Sequence, residues 1–253
     1  MFLKDRLNDL FYEIQKKGEV NVKDLSKNFS VSEDSIRKDL KVLEKEGLIT
    51  RIYGGAKLKR SLYKRTLNSR LTENFENKYS IAEKAFKLIE DNDTLFLDTS
   101  TINIILTEMI LKSDKVVTIV TNMLDVVNVF SEISNNSVLI GVGGIFKSKQ
   151  KGFNGSDTIK EIKKYNIDKA FVGTGGINVY NGNISTYDSD DGLTKSAIIK
   201  SSLYTYIISE KVKLEKDSFY TFANLEEVKG CIFDKLEDEL LLEKLKEYEI
   251  EIY

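Results

Sequence analysis

The sequence contains no histidine, no proline and no tryptophan, and its only cysteine is Cys231. Without histidine the chain lacks Ser-His-Asp and Cys-His catalytic groups and imidazole ligands, so we expect no metal site. One cysteine cannot form an internal disulfide, which is typical of a reducing cytoplasm. No apolar run approaches the roughly 20 residues of a membrane span, and the charged start does not fit a signal peptide. We therefore predict a cytoplasmic protein without membrane contact.

The 253 residues are enough for two domains, and 41% hydrophobic residues are enough to build their cores. Charge is distributed unevenly between them. Residues 1–70 hold 17 Lys and Arg against 10 Asp and Glu, whereas residues 71–253 hold 21 against 30. A basic head on an acidic body indicates that only the head meets a polyanion. The domains that we predict are a head at 1–58, a basic linker at 59–77 and a body at 78–253.

The head has the pattern of helices followed by a hairpin. Helical spacing of Leu7, Leu10 and Ile14 predicts a first helix, and Leu25 with Phe29 predicts a second. Residues 48–58 alternate, turn at a glycine pair and alternate again, as a small β-hairpin does. With a third, basic helix between them, this order of elements is typical of a winged helix-turn-helix.

The third predicted helix has an apolar side and a mostly basic side. Ser32 is a good N-cap for it, and its N-terminal half would face base edges in the major groove. Arg37 and Lys38 are placed for bases, with Arg37 suited to a bidentate contact with guanine, and Lys41 and Lys45 for phosphates. A solvated basic helix is the alternative, but the turn and hairpin in sequence order favour DNA. The predicted DNA-binding residues are Ser32, Ser35, Arg37, Lys38, Lys41, Lys45, Arg51 and Tyr53.

The body alternates near-continuous apolar strands with helices, which predicts a largely parallel α/β sheet covered on both faces. Ligands of such sheets bind beyond the carboxyl ends of the strands. Residues 98–101, Asp-Thr-Ser-Thr, lie between a strand and a helix and could bind an anion, although ordinary helix capping is the alternative. Neither a dinucleotide fingerprint nor a phosphate-binding P-loop is present, so we expect no cofactor.

Several motifs resemble those of the DeoR family of transcriptional regulators. Residues 32–40 with 51–56 resemble its helix-turn-helix signature, and residues 98–102, 168–173 and 210–214 resemble blocks of its effector domain. Ser100 and Glu210 stand where the family has Gly and Asp. The resemblance implies a body similar in fold to ribose-5-phosphate isomerase and coenzyme A transferases. It also implies an effector site, formed by Asp98, Thr99, Ser100, Thr101, Thr121, Asn122, Gly143, Gly144, Gly173, Lys195 and Lys213.

By this resemblance the chain is expected to repress a sugar or carbohydrate operon and to leave DNA when a phosphorylated sugar or related metabolite binds. A homodimer or homotetramer would place two heads on double-stranded operator DNA at half-site spacing. The prediction is a regulator and not an enzyme. Two alternatives remain at this point: a sugar-phosphate isomerase-like enzyme with an accessory head, and an adaptor whose winged helix binds protein.

Overall fold

The computed structural model describes residues 6, 7, 9, 10, 13, 14, 19–45, 49–58 and 73–253. It divides the chain into two compact units, Met1–Glu73 and Asn74–Tyr253. The basic linker predicted at 59–77 lies outside the described residues as far as position 72. No helix in the described part of the chain is long and apolar enough to cross a membrane.

The first unit combines helices with a small antiparallel sheet. Residues 6, 7, 9, 10, 13 and 14 are helical. The elements that follow are β1 (Glu19–Asn21), α1 (Val22–Phe29), α2 (Glu33–Lys45), β2 (Ile49–Ile52) and β3 (Gly55–Leu58). The sheet has the order β1-β3-β2, and Gly54 takes a positive φ of 77° in the turn of the β2–β3 hairpin. The wing predicted from the sequence is therefore present.

Local side-chain chemistry sets the ends of the helices in this unit. The Asn21 side chain accepts a hydrogen bond from the Lys23 N–H at 2.8 Å, which caps α1. Ser30 takes the left-handed conformation that ends α1, and the Ser32 hydroxyl accepts from the Ser35 N–H at 3.2 Å at the start of α2. The turn between α1 and α2 is thus encoded by short polar residues, as expected.

One charged residue of α2 faces the core of the first unit. Asp39 is buried beside Ile36 and Leu40, and Arg6 donates to its two carboxylate oxygens at 2.7 and 3.1 Å. This bidentate ion pair satisfies the buried carboxylate and fixes α2 against the helical residues near the N-terminus.

The second unit, all of whose residues are described, contains twelve strands, six α-helices and two 3-10 turns. Its strands are β4 (Thr94–Leu97), β5 (Thr118–Thr121), β6 (Val138–Gly141), β7 (Ile145–Lys147), β8 (Gly152–Asn154), β9 (Ile167–Gly173), β10 (Gly176–Ile177), β11 (Asn183–Thr186), β12 (Ser202–Ser209), β13 (Tyr220–Asn224), β14 (Gly230–Phe233) and β15 (Glu251–Ile252). Its helices are α3 (Phe75–Lys87), α4 (Thr101–Leu111), α5 (Leu124–Glu132), α6 (Ser156–Ile162), α7 (Ser189–Lys200) and α8 (Glu239–Lys246), with 3-10 turns at Lys211–Lys213 and Leu225–Glu227.

Seven of these strands form one parallel sheet in the order β15-β14-β12-β9-β4-β5-β6. Its core includes the fully buried Phe96, Phe171 and Phe233. Because all seven strands run in one direction, their carboxyl ends lie at one edge of the sheet. We call it the carboxyl edge.

Two smaller antiparallel sheets, which the sequence did not predict, accompany the parallel one. Strands β7 and β8 form a hairpin, and β10, β11 and β13 form a three-stranded sheet. These strands have two to five residues, which is too short for an alternating pattern to be recognised. Both small sheets begin directly after strands that end at the carboxyl edge, so they form part of the surroundings of that edge.

Candidate functional site

Helix α2 carries most of the predicted DNA-binding residues on its exposed side. Arg37, Lys38, Lys41 and Lys45 are exposed, whereas Ser35 is half-buried. The hydroxyls of Ser32 and Ser35 lie 3.0 Å apart at the start of the helix. This basic side faces away from the core residues of α2, as the helical wheel predicts.

The wing holds the other two predicted residues. Tyr53 is fully exposed at the tip of the hairpin. Arg51 is fixed against α2, because its backbone N–H and its Nε donate to the Glu44 carboxylate at 3.0 and 2.7 Å. The wing and the helix therefore present one connected surface within this unit.

Arg37 forms ion pairs that were not predicted from the sequence. Its guanidinium nitrogens contact Glu33 at 2.7 Å and Asp34 at 2.8 Å, while 55% of the side chain stays exposed. The i,i+4 and i,i+3 spacing could have signalled both pairs. Exposed pairs of this kind contribute about 0–1 kcal/mol, so a base or phosphate can displace them at low cost.

All eleven residues of the predicted effector site lie at or near the carboxyl edge. Residues 98–100 follow β4, Thr121 ends β5, residues 143–144 follow β6, and Gly173 ends β9. Thr101 opens α4, while Lys195 comes from α7 and Lys213 from the 3-10 turn after β12. The fold thus gathers residues that are more than 100 positions apart in the sequence.

At the centre of this edge is a buried cluster of one lysine and two aspartates. Lys195 donates to Asp98, and its Nζ lies 3.7 Å from the Asp191 carboxylate. All three side chains are almost completely buried. Hydroxyl groups also hold both carboxylates. Thr186 donates at 2.7 Å to Asp191 Oδ2, the oxygen that faces Lys195, and Thr99 reaches Asp98 Oδ1 and Asp191 Oδ1 at 3.2 and 3.3 Å.

The charges of this cluster set the protonation of its members. Burial lowers the pKa of Lys195, but Asp191 and Asp98 outweigh it and leave the pKa raised above its ordinary value. Burial raises the pKa of Asp191. The positive charge of Lys195 lowers this pKa, and the negative charge of Asp98 raises it further. Lys195 therefore stays charged, whereas the surroundings of Asp191 disfavour the charged form of its carboxyl group.

Asp98 has little capacity left for a ligand. Besides Lys195, its Oδ2 accepts from the Gly173 N–H at 3.1 Å, and its Oδ1 receives the Thr99 hydroxyl. The sequence predicts Asp98 as an effector-binding residue. In this structure its oxygens join the ends of β4 and β9 to α7.

Ser100, which replaces the family's glycine, has a structural place. Its hydroxyl accepts from the Ile102 N–H at 3.3 Å and caps α4. A Cβ added at Gly173 would lie 2.9 Å from the Ser100 Cβ, so these two positions are in close contact. The N-terminus of α4 stays close to the predicted anion site.

The remaining predicted residues mostly bond to the backbone. The Thr121 hydroxyl donates to the Leu97 carbonyl at 2.6 Å, which joins the ends of β4 and β5. Thr158 donates to the Gly143 carbonyl at 2.8 Å, and a Cβ at Gly144 would lie 1.9 Å from the Thr158 hydroxyl. Lys213 is half-buried and donates to the Thr174 carbonyl at 2.7 Å, beside the end of β9.

The β7–β8 hairpin lies against the end of β5. The Asn122 amide donates to the Phe153 carbonyl at 3.0 Å, and the Phe153 N–H donates to the Asn122 carbonyl at 2.8 Å. A Cβ at Gly152 would lie 2.2 Å from the Thr99 side chain. Asn154, which the sequence reading did not select, is thereby placed beside the predicted site.

A helix-turn-helix unit with a basic helix, followed by an α/β unit with polar residues at its carboxyl edge, defines a DNA-binding regulator that carries a sensor domain. Comparison with known protein families supports this class of protein. Residues 6–61 match the DeoR-like helix-turn-helix domain, and residues 73–235 match the DeoR C-terminal sensor domain. The chain belongs to the DeoR family of transcriptional regulators.

Individual relatives align over most of the chain. The uncharacterized HTH-type transcriptional regulator FruR of Bacillus subtilis is 29% identical over 226 residues, 89% of this chain and 88% of its own. A lactose phosphotransferase system repressor of Staphylococcus aureus is 28% identical over 247 residues, 96% of each chain. Among solved structures, ribose 5-phosphate isomerase A of Methanocaldococcus jannaschii covers 56% of each chain with a TM-score of 0.42 and 14% identity.

These findings confirm the predicted family, the winged-helix and α/β fold class, and the reading as a transcriptional regulator rather than an enzyme. The isomerase is a distant structural neighbour, and its activity is not carried to this chain. The individual DNA-binding and effector-binding residues stay predictions.

Proposed function

We propose that this protein represses an operon for the uptake or breakdown of a carbohydrate and is released from DNA by a phosphorylated sugar or a related metabolite. It would act in the cytoplasm as a homodimer or homotetramer on double-stranded operator DNA. The observation that carries this proposal is the exposed cationic side of α2 in a unit that belongs to the DeoR-like helix-turn-helix domain. The full-length alignment with a lactose phosphotransferase system repressor supports the link to carbohydrates.

For the DNA half, α2 enters the major groove and Arg37 contacts a guanine. To do so Arg37 exchanges its contacts with Glu33 and Asp34 for the base edge, which its 55% exposure supports. Lys41 and Lys45 lie one and two turns further along the helix, at positions suited to phosphates. Arg51 and Tyr53 of the wing contact the DNA backbone or minor groove.

For the sensor half, the phosphate of the effector lies near the N-terminus of α4, where residues 99–101 supply hydroxyls and backbone N–H groups. Binding shifts the population toward an arrangement of the two heads that does not match the half-sites. The effector can do this only if it binds that arrangement more tightly than the DNA-bound one. Its differential affinity sets the upper limit of the release.

The test is fluorescence anisotropy on labelled duplexes from the DNA upstream of the protein's own gene, with scrambled duplexes as reference. Arg37→Ala should weaken operator binding by about 1–3 kcal/mol and reduce discrimination against the scrambled duplex. Arg37→Lys is the matched control, since it keeps the charge and loses the planar fork. It should keep the salt dependence and still lose discrimination.

Lys41→Ala separates a phosphate contact from a base contact. It should weaken binding to both duplexes by the same factor. It should also reduce the slope of log affinity against log salt concentration by about 1. Titration of the wild-type complex with a panel of sugar phosphates then tests release. Equal affinity for operator and scrambled DNA in the wild type, or affinity that does not fall with salt, would contradict the proposal and favour a protein-binding adaptor.

A further inference from the structure

Five polar atoms next to the carboxyl edge are buried and have no hydrogen-bond partner among the described residues. They are Asn122 Oδ1, both carboxylate oxygens of Asp125, and Oδ1 and Nδ2 of Asn154. The three residues are at most 2% exposed. Buried polar groups in native proteins nearly always have a partner, so this group requires one from outside the chain.

Hydrogen bonds hold Asn122 beside Phe153, the residue before Asn154. Strand β8 runs antiparallel to the segment after β5, with a bridge between Gly152 and Met123. Side chains two apart on a strand face the same side. The Gly152 position faces Thr99, and a Cβ there would lie 2.2 Å from the Thr99 methyl carbon. Asn154 therefore points from the hairpin toward the end of β4.

Asp125 belongs to the same part of the fold. The N–H of the preceding residue, Leu124, donates to the Lys151 carbonyl at 3.0 Å, which ties the start of α5 to the β7–β8 hairpin. Burial raises the pKa of Asp125, and the charge of Lys151 opposes this shift. New hydrogen-bond donors would stabilise this poorly solvated carboxylate.

The types of the five atoms select the chemistry of the missing partner. Four of them accept hydrogen bonds and one, Asn154 Nδ2, donates. Another anion is disfavoured because it would meet a carboxylate and an excess of acceptors. A bare cation is disfavoured because it would meet the Asn154 amide donor. Neighbouring hydroxyl groups, of a sugar or of bound water, fit both demands, since each donates hydrogen bonds and accepts others. Ligand binding by the variants below distinguishes the two.

We infer that Asn122, Asp125 and Asn154, beneath the β7–β8 hairpin, bind the hydroxyl groups of the effector's carbon chain. This rests on the proposed function and assigns the recognition of the sugar's hydroxyls to residues other than Asp98. Asp98 is occupied by Lys195 and the Gly173 N–H. Thr99 contacts the Gly152 position of the hairpin and precedes the N-terminus of α4 by two residues, so it connects the hairpin with the proposed phosphate site.

The test compares full-length wild type with Asn154→Leu by thermal unfolding, without ligand and with each of inorganic phosphate, fructose 1-phosphate, fructose 6-phosphate, tagatose 6-phosphate and glucose 6-phosphate. Leucine has a similar volume but no unsatisfied polar atoms. Without ligand, the melting temperature of Asn154→Leu should equal or exceed that of the wild type. Its affinity for the most strongly bound sugar phosphate should fall by about tenfold or more, with that for inorganic phosphate unchanged.

Two further variants make the result decisive. Thr205→Val removes another buried, unpaired oxygen, in the middle of β12, and should leave every ligand effect unchanged. Asp125→Asn keeps the shape of its side chain and should also weaken sugar phosphate binding selectively, which covers a failure of Asn154→Leu to fold.

The inference is overturned if Asn154→Leu melts several degrees lower without ligand and Asp125→Asn binds sugar phosphate as the wild type does, because the buried polar atoms then serve the fold itself. It is also overturned if both variants fold and bind sugar phosphate as the wild type does, or if no sugar phosphate binds the wild type better than inorganic phosphate. Release from DNA is measured separately, by fluorescence anisotropy. Variants that bind sugar phosphate normally and are still released from DNA by it refute only the hydroxyl site. A wild-type protein that never binds DNA refutes the proposed function.

Discussion

Replacing Lys195 by methionine tests whether the buried cluster holds the carboxyl edge together. The substitution keeps most of the side-chain volume and removes the positive charge of Lys195, which faces both Asp98 and Asp191. Removing one partner of a buried ion pair typically costs about 3–5 kcal/mol, because the other charge is left uncompensated. Here two carboxylates lose their partner, so we expect a loss in the free energy of unfolding at the upper end of that range.

Asp191→Asn is the informative comparison. It leaves Lys195 paired with Asp98, and the amide oxygen can still accept the Thr186 hydroxyl. We expect it to cost less than about 1.5 kcal/mol, the scale of one ordinary hydrogen bond. Because the folded pKa of Asp191 is raised, its stabilising contribution is present below the unfolded value of about 4 and is lost as the pH rises through the folded pKa. The difference in the free energy of unfolding between wild type and Asp191→Asn should therefore narrow as the pH rises above about 4.

The assay is urea unfolding of the full chain at several pH values, followed by far-ultraviolet circular dichroism, a probe that does not depend on a titrating side chain. Midpoints are compared at a common m-value. The reasoning would be refuted if Lys195→Met unfolds at the wild-type midpoint, if Asp191→Asn costs more than Lys195→Met, or if the gap widens as the pH rises.

Two further predictions concern the packing of the second unit. Gly152→Ala should destabilise the second unit by about 1–3 kcal/mol, because the new Cβ would lie 2.2 Å from the Thr99 side chain. Gly143→Ala is the matched control, since a Cβ at Gly143 has nothing within 4 Å. Equal melting temperatures for these two variants would show that the hairpin is not seated on Thr99. Burial raises the pKa of the Cys231 thiol to about 12, so a disulfide reagent at about pH 8 should label it only as the unit unfolds. Rapid, complete labelling of the native protein would contradict this burial.

The sequence predicts the parallel sheet well because buried strands such as Thr94–Leu97 are short apolar runs that end at polar residues. It also predicts which residue types collect at the carboxyl edge. It does not predict their pairing, since Asp98 and Lys195 are 97 positions apart and the contact depends on the order of strands in the sheet. Asn154 was missed for a related reason: it ends the three-residue strand β8, whose position follows only from its contacts with Asn122.

The buried cluster also bears on which lysine could meet a phosphate in the proposed function. The charge of Lys195 is already matched by two carboxylates, and bringing a phosphate close to it would add a third negative group to a desolvated site. The two carboxylates therefore disfavour a phosphate beside Lys195 and leave this lysine to hold the strand ends at the carboxyl edge.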